Sequence, residues 1–230
     1  MMKNLALVLV LTTTVALSSK AQVYVQGGLN LANISKTSDG QTSDNNILPS
    51  FNVGILGRFG TSSTFELESG LLLTGHGSKA ESYFNGGADY VKSKFNPIYL
   101  QVPLNAVVKI PLEKESNIFF HAGPYVAMGI GGKSKQESKF GPLSSSSTET
   151  IKFSNDDPFT TQQDDAAYDK LKRFDFGLNF GGGFAFKHVI LKVNYGLKNT
   201  KINSTESNNT VNDKNKYRTL SVSVGFPLKK

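Results

Sequence analysis

The chain contains no cysteine among its 230 residues. That excludes disulfides, thiolate metal sites and an acylated cysteine anchor. It also has no run of the ~20 apolar residues that a membrane-spanning helix needs. A helical membrane protein is therefore excluded, but a barrel is not, because barrel strands are apolar on one face only. A clustered basic stripe is missing too. The formal charge is +7, yet the lysines are scattered. Nucleic acid is a poor partner for such a chain, and anionic lipid head groups are a more natural one.

What is present begins with a leader. Lys3 gives a positive start, Leu5 to Leu17 an apolar stretch, and Ser19-Lys20-Ala21 a small-x-small cleavage site. These features predict a signal peptide over 1–22 and a single domain over 23–230. Removal of the leader takes away Lys3 and Lys20 and lowers the formal charge from +7 to +5.

The remainder repeats one pattern eight times, with apolar and polar residues alternating at period two. Val23, Val25, Leu29 and Leu31 oppose Tyr24, Gln26 and Asn30. Phe51, Val53, Ile55 and Phe59 oppose Asn52, Gly54 and Arg58. Phe65, Leu67, Leu71 and Leu73 oppose Glu66, Glu68 and Gly70. The fourth segment runs from Ile98 to Ile110 and the fifth from Ile118 to Ile130. The sixth is the most regular: Phe174, Phe176, Leu178, Phe180, Phe184 and Phe186 alternate with Asp175, Gly177, Asn179, Gly181, Gly183 and Ala185. The seventh spans Val189 to Lys198 and the eighth Thr219 to Phe226. Each apolar face carries almost no charge, and each run has the length of a tilted strand that crosses a bilayer.

The connections alternate as well. Long polar stretches at 33–48, 75–96, 132–172 and 199–216 take turns with short links at Thr61 to Thr64, Pro111 to Asn117 and Lys187-His188. This is the pattern of long outer loops and short periplasmic turns, with both chain ends periplasmic. Phe59, Phe65, Phe186 and Phe226 fall at periplasmic strand ends; Phe51, Tyr99, Phe174, Tyr195 and Tyr217 fall near the outer ends. They suggest two aromatic girdles. The expected fold is an all-β, eight-stranded, antiparallel up-and-down transmembrane barrel in the outer membrane of a Gram-negative bacterium. The rival is a soluble barrel of lipocalin type, which would turn its apolar face inward.

Several segments carry a family resemblance: Gly28-Leu29-Asn30, Tyr99-Leu100-Gln101-Val102-Pro103-Leu104, Gly123-Pro124-Tyr125, Phe174-Asp175-Phe176-Gly177 with Gly181-Gly182-Gly183, and Tyr195-Gly196-Leu197. In this order they resemble the Bacteroidetes outer-membrane barrels known as PorT-like or porin-family proteins. The resemblance implies an integral outer-membrane protein. It departs at the end, where Phe226 is followed by Pro227-Leu228-Lys229-Lys230 rather than ending the chain.

The polar face holds Arg58, Glu66, Glu68, Lys109, His121, Asp175 and Lys192. Eight strands leave a bore just wide enough for side chains, and buried charges must pair. Glu66 and Glu68 are therefore expected to pair with Arg58, Lys109 and Lys192 and to fill the interior. A catalytic barrel would need a base and a nucleophile at its outer rim. His76 and Ser78 are the only candidates there, and no carboxylate completes them. Asp156, Asp157, Asp164, Asp165 and Asp169 match no calcium loop and are interrupted by Pro158. The long stretch that carries them reads as a solvated loop, with a short helical turn over Asp164 to Arg173. No cofactor and no metal is expected.

The functional expectation is a non-enzymatic barrel with a filled lumen that presents its outer loops as a structural or interaction scaffold. The alternatives are a small passive or transport-associated pore and a lipid-A-modifying enzyme. Expected partners are outer-membrane lipids, the barrel-insertion machinery during assembly and an unidentified extracellular or envelope protein.

Overall fold

In the computed structural model, which describes residues 22–38, 41–44, 46–60, 62–113, 115–154, 170–198 and 216–228, the chain runs up and down through eight antiparallel strands. These are β1 (Gln22–Ser38), β2 (Asn46–Phe59), β3 (Phe65–Gly75), β4 (Asp89–Pro111), β5 (Asn117–Phe140), β6 (Phe174–Ala185), β7 (Ile190–Lys198) and β8 (Lys216–Pro227). Each pairs with its neighbour in the chain. β1 also pairs with β8, from Tyr24 opposite Pro227 to Ser35 opposite Lys216, and so closes the ring. Among the described residues, closure leaves no open edge in the cylinder itself and satisfies its ladder, as a lipid environment demands.

The alternation read from the sequence sets which way each side chain points. Leu29, Ile55, Leu104, Phe120, Leu178 and Val222 each expose more than half of their surface on the outside. Asn30, Asn52, Asn105, Asn179 and Ser223 are buried inside. The exposed apolar belt encircles the cylinder. It far exceeds the ~300–600 Å² patch that a soluble monomer shows. A lipocalin-type barrel would have the two faces exchanged.

Three expectations need correction. The stretches 75–96 and 132–172 are not simply loops. The ladder between β3 and β4 continues in unchanged register past His76 and Gly77, so that Ser78–Phe84 pairs with the outer part of β4. β5 runs on to Phe140, and Leu143–Thr150 folds back onto it. Likewise β1 reaches Ser38 and pairs with Gln41–Asp44, inside the expected loop 33–48. These segments alternate polar with polar, so they lack an apolar period, yet the strands below hand them a register. Second, Lys170–Lys172 is extended and pairs in parallel with Lys152–Ser154 instead of ending a helical turn. Third, Tyr99 is only 1% exposed and points into the bore, so it belongs to no girdle. The leader up to residue 21, Tyr217's side chain and the five aspartates from Asp156 to Asp169 lie outside the described residues.

A β-bulge interrupts β4 and β5 where Ile98 faces Gly131 and Tyr99 faces Gly129. Gly132, just above it, has φ +146, and a Cβ there would sit 2.6 Å from the Asn96 carbonyl oxygen. Only glycine fits this backbone. Above the bulge, the four outer strand segments form a sheet that projects beyond the apolar belt. Its tips are tied together: the Gly141 N–H donates to Asp89 (2.6 Å), the Asn85 amide donates to the same carboxylate, and Phe84 stacks on Phe140. Those two donors, the Gly141 N–H first, hold the Asp89 carboxyl below its usual range.

Candidate functional site

Buried polar side chains are concentrated in the bore, and its contents form three tiers. At the periplasmic end, Tyr24, Leu56, Val107, Phe119, Ala185 and Ile190 make a buried apolar plug. Most of it lies at this end because Leu56, Val107, Phe119, Ala185 and Ile190 are near short turns and Tyr24 is near the start of β1; Leu72, opposite Gln101, carries the cluster toward the middle of the bore. β6 makes room for it. Gly183 and Gly181 lie opposite Phe119 and His121 in the ladder, and a Cβ at either glycine would meet the facing ring within 3 Å. Small residues on one strand thus accept large rings from the next.

Charged groups are set into this plug. Glu68 is completely buried and accepts four hydrogen bonds. They come from Arg58 Nε (3.0 Å), Tyr24 Oη (2.8 Å), Asn105 Nδ2 (3.1 Å) and Lys192 Nζ. The Arg58 guanidinium also lies over the Phe119 ring, 4.0 Å from its centroid, where the ring's negative face favours a cation. Glu66 and Lys109 pair separately at 2.6 Å, half-buried at the periplasmic mouth. The seven inward groups named from the sequence therefore divide. Arg58, Glu68 and Lys192 form one cluster, with His121 beside it packed against Phe119. Glu66 and Lys109 form a second pair. Asp175 belongs to neither; it lies near the outer end, where Tyr125 Oη donates to it at 3.4 Å.

The middle tier is an amide network. Gln26 Nε2 donates to Asn52 Oδ1, Asn52 Nδ2 to Asn30 Oδ1, and Asn30 Nδ2 to Thr74 Oγ1, at 3.0, 2.8 and 2.7 Å. Beside it lies a cavity of about 50 Å³, lined by residues such as Gln101, Asn179, Asn194 and Ser221. At ~10–15 Å³ per water, this space holds a handful of waters. Drug-sized ligands need ~300–1,000 Å³.

The outer tier is a second packed cluster. Tyr99, Tyr125 and Ala127 are buried, and Phe153 packs against them from the segment that follows the projecting hairpin. Its ring centroid is 5.7 Å from that of Tyr99, and it lies flat on Gly129, where a Cβ would meet it at 2.1 Å. His76 and Ser78 are both buried and share the inward phase. His76 Nδ1 is 3.1 Å from Thr219 Oγ1, and its ring meets Tyr99 edge-on. The histidine thus faces the lumen rather than the rim. Among the described residues, no three of His, Asp and Glu converge in a way that could hold a metal ion. The sequence reading missed the apolar plug, the Tyr24 and Asn105 bonds to Glu68, and the Phe153 cluster.

An apolar belt outside and a polar, packed bore inside define a small outer-membrane β-barrel. Residues 16–202 match the family described as "Outer membrane protein beta-barrel domain", and the chain belongs to that family and to the outer membrane. Among solved structures it is similar to Ail, the attachment invasion locus protein of Yersinia pestis. There the identity is 14% and the TM-score 0.40, over 90% of this chain and 99% of that one. It is also similar to Neisserial surface protein A, at 13% identity and TM-score 0.40 over 91% and 100%. OprG from Pseudomonas aeruginosa gives 10% identity and TM-score 0.40 over 92% and 98%. At these identities and TM-scores the likenesses add no argument to the family match. No curated protein matches the sequence.

Proposed function

We propose that this protein is a sealed outer-membrane barrel that serves as a scaffold, not a pore and not an enzyme. The observation that carries this reading is the fully bonded Glu68 set inside the apolar plug, with Arg58 and Phe119 filling the bore beside it. What such a barrel offers is its projecting sheet, which long connections place on the cell exterior in this class. The leader over 1–22 delivers the chain to the insertion machinery. The ordered motifs from Gly28-Leu29-Asn30 to Tyr195-Gly196-Leu197 support placement in the PorT-like branch of Bacteroidetes barrels. An unidentified envelope or extracellular protein is the partner that fits a scaffold.

The inward-facing His76 speaks against a rim-acting lipid A enzyme, because its Nδ1 is engaged by Thr219 inside the barrel. An epitope tag inserted after Pro142, at the exposed hairpin tip, tests the presentation. Antibody should label intact cells, and the tagged barrel should keep its different migration before and after boiling on a denaturing gel. Labelling only after permeabilisation would place the sheet on the wrong side and sink this reading.

A further inference from the structure

The projecting sheet has two faces of different character, and the bulge at Ile98/Tyr99 decides which residues lie on each. Below the bulge, even-numbered residues of β5 point outward, as Phe120 and Val126 do. The extra residue in β5 inverts this phase. Above it, Lys133 stands opposite Asn96, Lys135 opposite Lys94, and Lys139 opposite Tyr90, all in the outward phase of β4. Bulges re-aim side chains in this way. The same phase on the adjoining strand carries Lys79, Glu81 and Tyr83.

The outward face of this sheet therefore bears six lysines, Lys79, Lys92, Lys94, Lys133, Lys135 and Lys139, against two carboxylates, Glu81 and Glu137. Lys79, Lys94 and Lys135 stand directly opposite one another on three adjacent strands. Strands lie ~4.8 Å apart, and like charges placed directly opposite destabilise a sheet. Glu81 and Glu137 relieve Lys79 and Lys135, at 3.4 and 2.5 Å. Among the described residues, Lys94, Lys133 and Lys139 make no ion pair. Lys92 sits over the rings of Tyr83 and Tyr90.

This face is also placed with respect to the bilayer. It continues the lipid-facing side of β3, β4 and β5 without a turn. Lys133 faces a position two residues above Ile98, the last outward apolar residue of β4, and Lys94 lies four residues above it. At ~3.3 Å per residue, they stand roughly 7 and 13 Å along the strand from the edge of the belt. With strands tilted by ~35–45°, these are heights of about 5 and 10 Å, inside and just above the ~5–7.5 Å head-group layer.

We propose that this lysine face binds the phosphate groups of the glycolipid that forms the outer leaflet. The anions complete a charge array that the protein leaves unbalanced, and the barrel is thereby held at a fixed depth and orientation among phosphorylated head groups. The inference rests on outer-membrane placement and is independent of whether the bore is sealed. The test uses the full-length protein refolded in zwitterionic detergent micelles and titrated with bisphosphorylated lipid A, with bound lipid counted by native mass spectrometry. Wild type should bind the bisphosphorylated form and lose binding as salt rises. K94Q/K133Q and K79Q/K94Q/K133Q/K135Q should weaken binding progressively, the quadruple variant by roughly tenfold or more. Arginine at the same four positions should restore it. Equal binding of dephosphorylated lipid A, competition by inorganic phosphate at matched concentration, or unchanged affinity in the quadruple variant would overturn the proposal. The boiled-against-unboiled gel shift of the same samples verifies the folded barrel in each case. A variant that binds weakly but keeps its shift has lost the lysine face and not the fold.

Discussion

Glu68→Ala should be the most damaging single substitution in this protein, lowering folding stability by about 3–5 kcal/mol. The carboxylate accepts from Arg58, Lys192, Tyr24 and Asn105, all of them buried. Its removal leaves two buried cationic side chains with no counter-ion: Arg58, packed over the Phe119 ring in the plug, and Lys192, which borders only the small polar cavity above it. The measurement is the urea midpoint for folding into phospholipid vesicles, read from the fraction of gel-shifted band. A companion variant separates charge from volume. Replacing all three charged residues with apolar ones of similar size, as in R58M/E68L/K192M, should recover most of the loss, because the uncompensated charge is gone. A Glu68→Ala barrel with the wild-type midpoint would show that the cluster does not hold the bore together.

Phe119→Ala should follow closely, at about 3–5 kcal/mol in the same assay. Phe119 is fully buried, lies against Gly183 and supports the Arg58 guanidinium at 4.0 Å. Truncation removes the ring's burial, opens a cavity and takes away the face on which the cation rests. Phe119→Leu keeps most of the volume and should lose much less. Similar losses for both would assign the effect to backbone disturbance rather than to the plug.

The architecture was legible because lipid imposes a simple rule. A strand such as Phe174–Ala185 must be apolar at every second residue on the side it shows to hydrocarbon, so its phase can be read directly. The bore was legible in part. Arg58, Glu68 and Lys192 stand out as charges in the inward phase of apolar strands, and their meeting follows from the size of the barrel. Asp175 met the same criterion but lies too far up β6 to join them, and height along the bore depends on strand stagger, which no single strand reveals.

The plug does leave a signal in the sequence. Phe119 sits between Ile118 and Phe120, Val107 between Ala106 and Val108, and Ile190 between Val189 and Leu191. Each is an apolar residue in the polar phase, and each lies near a short turn. Such breaks in alternation mark where a barrel closes on itself. The projecting sheet had no comparable signal. Lys133 and Lys135 face outward because one extra residue at the bulge inverts the phase of β5. Polar residues on both sides of that stretch hide the inversion from any reading of periodicity. Phe153 packs onto Tyr99, Tyr125 and Ala127 from a segment with no regular period at all.

Single-channel recording tests the sealed bore most directly. Purified protein inserted into planar bilayers should give no stable conductance steps, since the plug fills the periplasmic end and the cavity above it, about 50 Å³ among the described residues, holds a handful of waters. Reproducible, long-lived steps from the wild-type protein, scaling with the number of inserted barrels, would contradict the account.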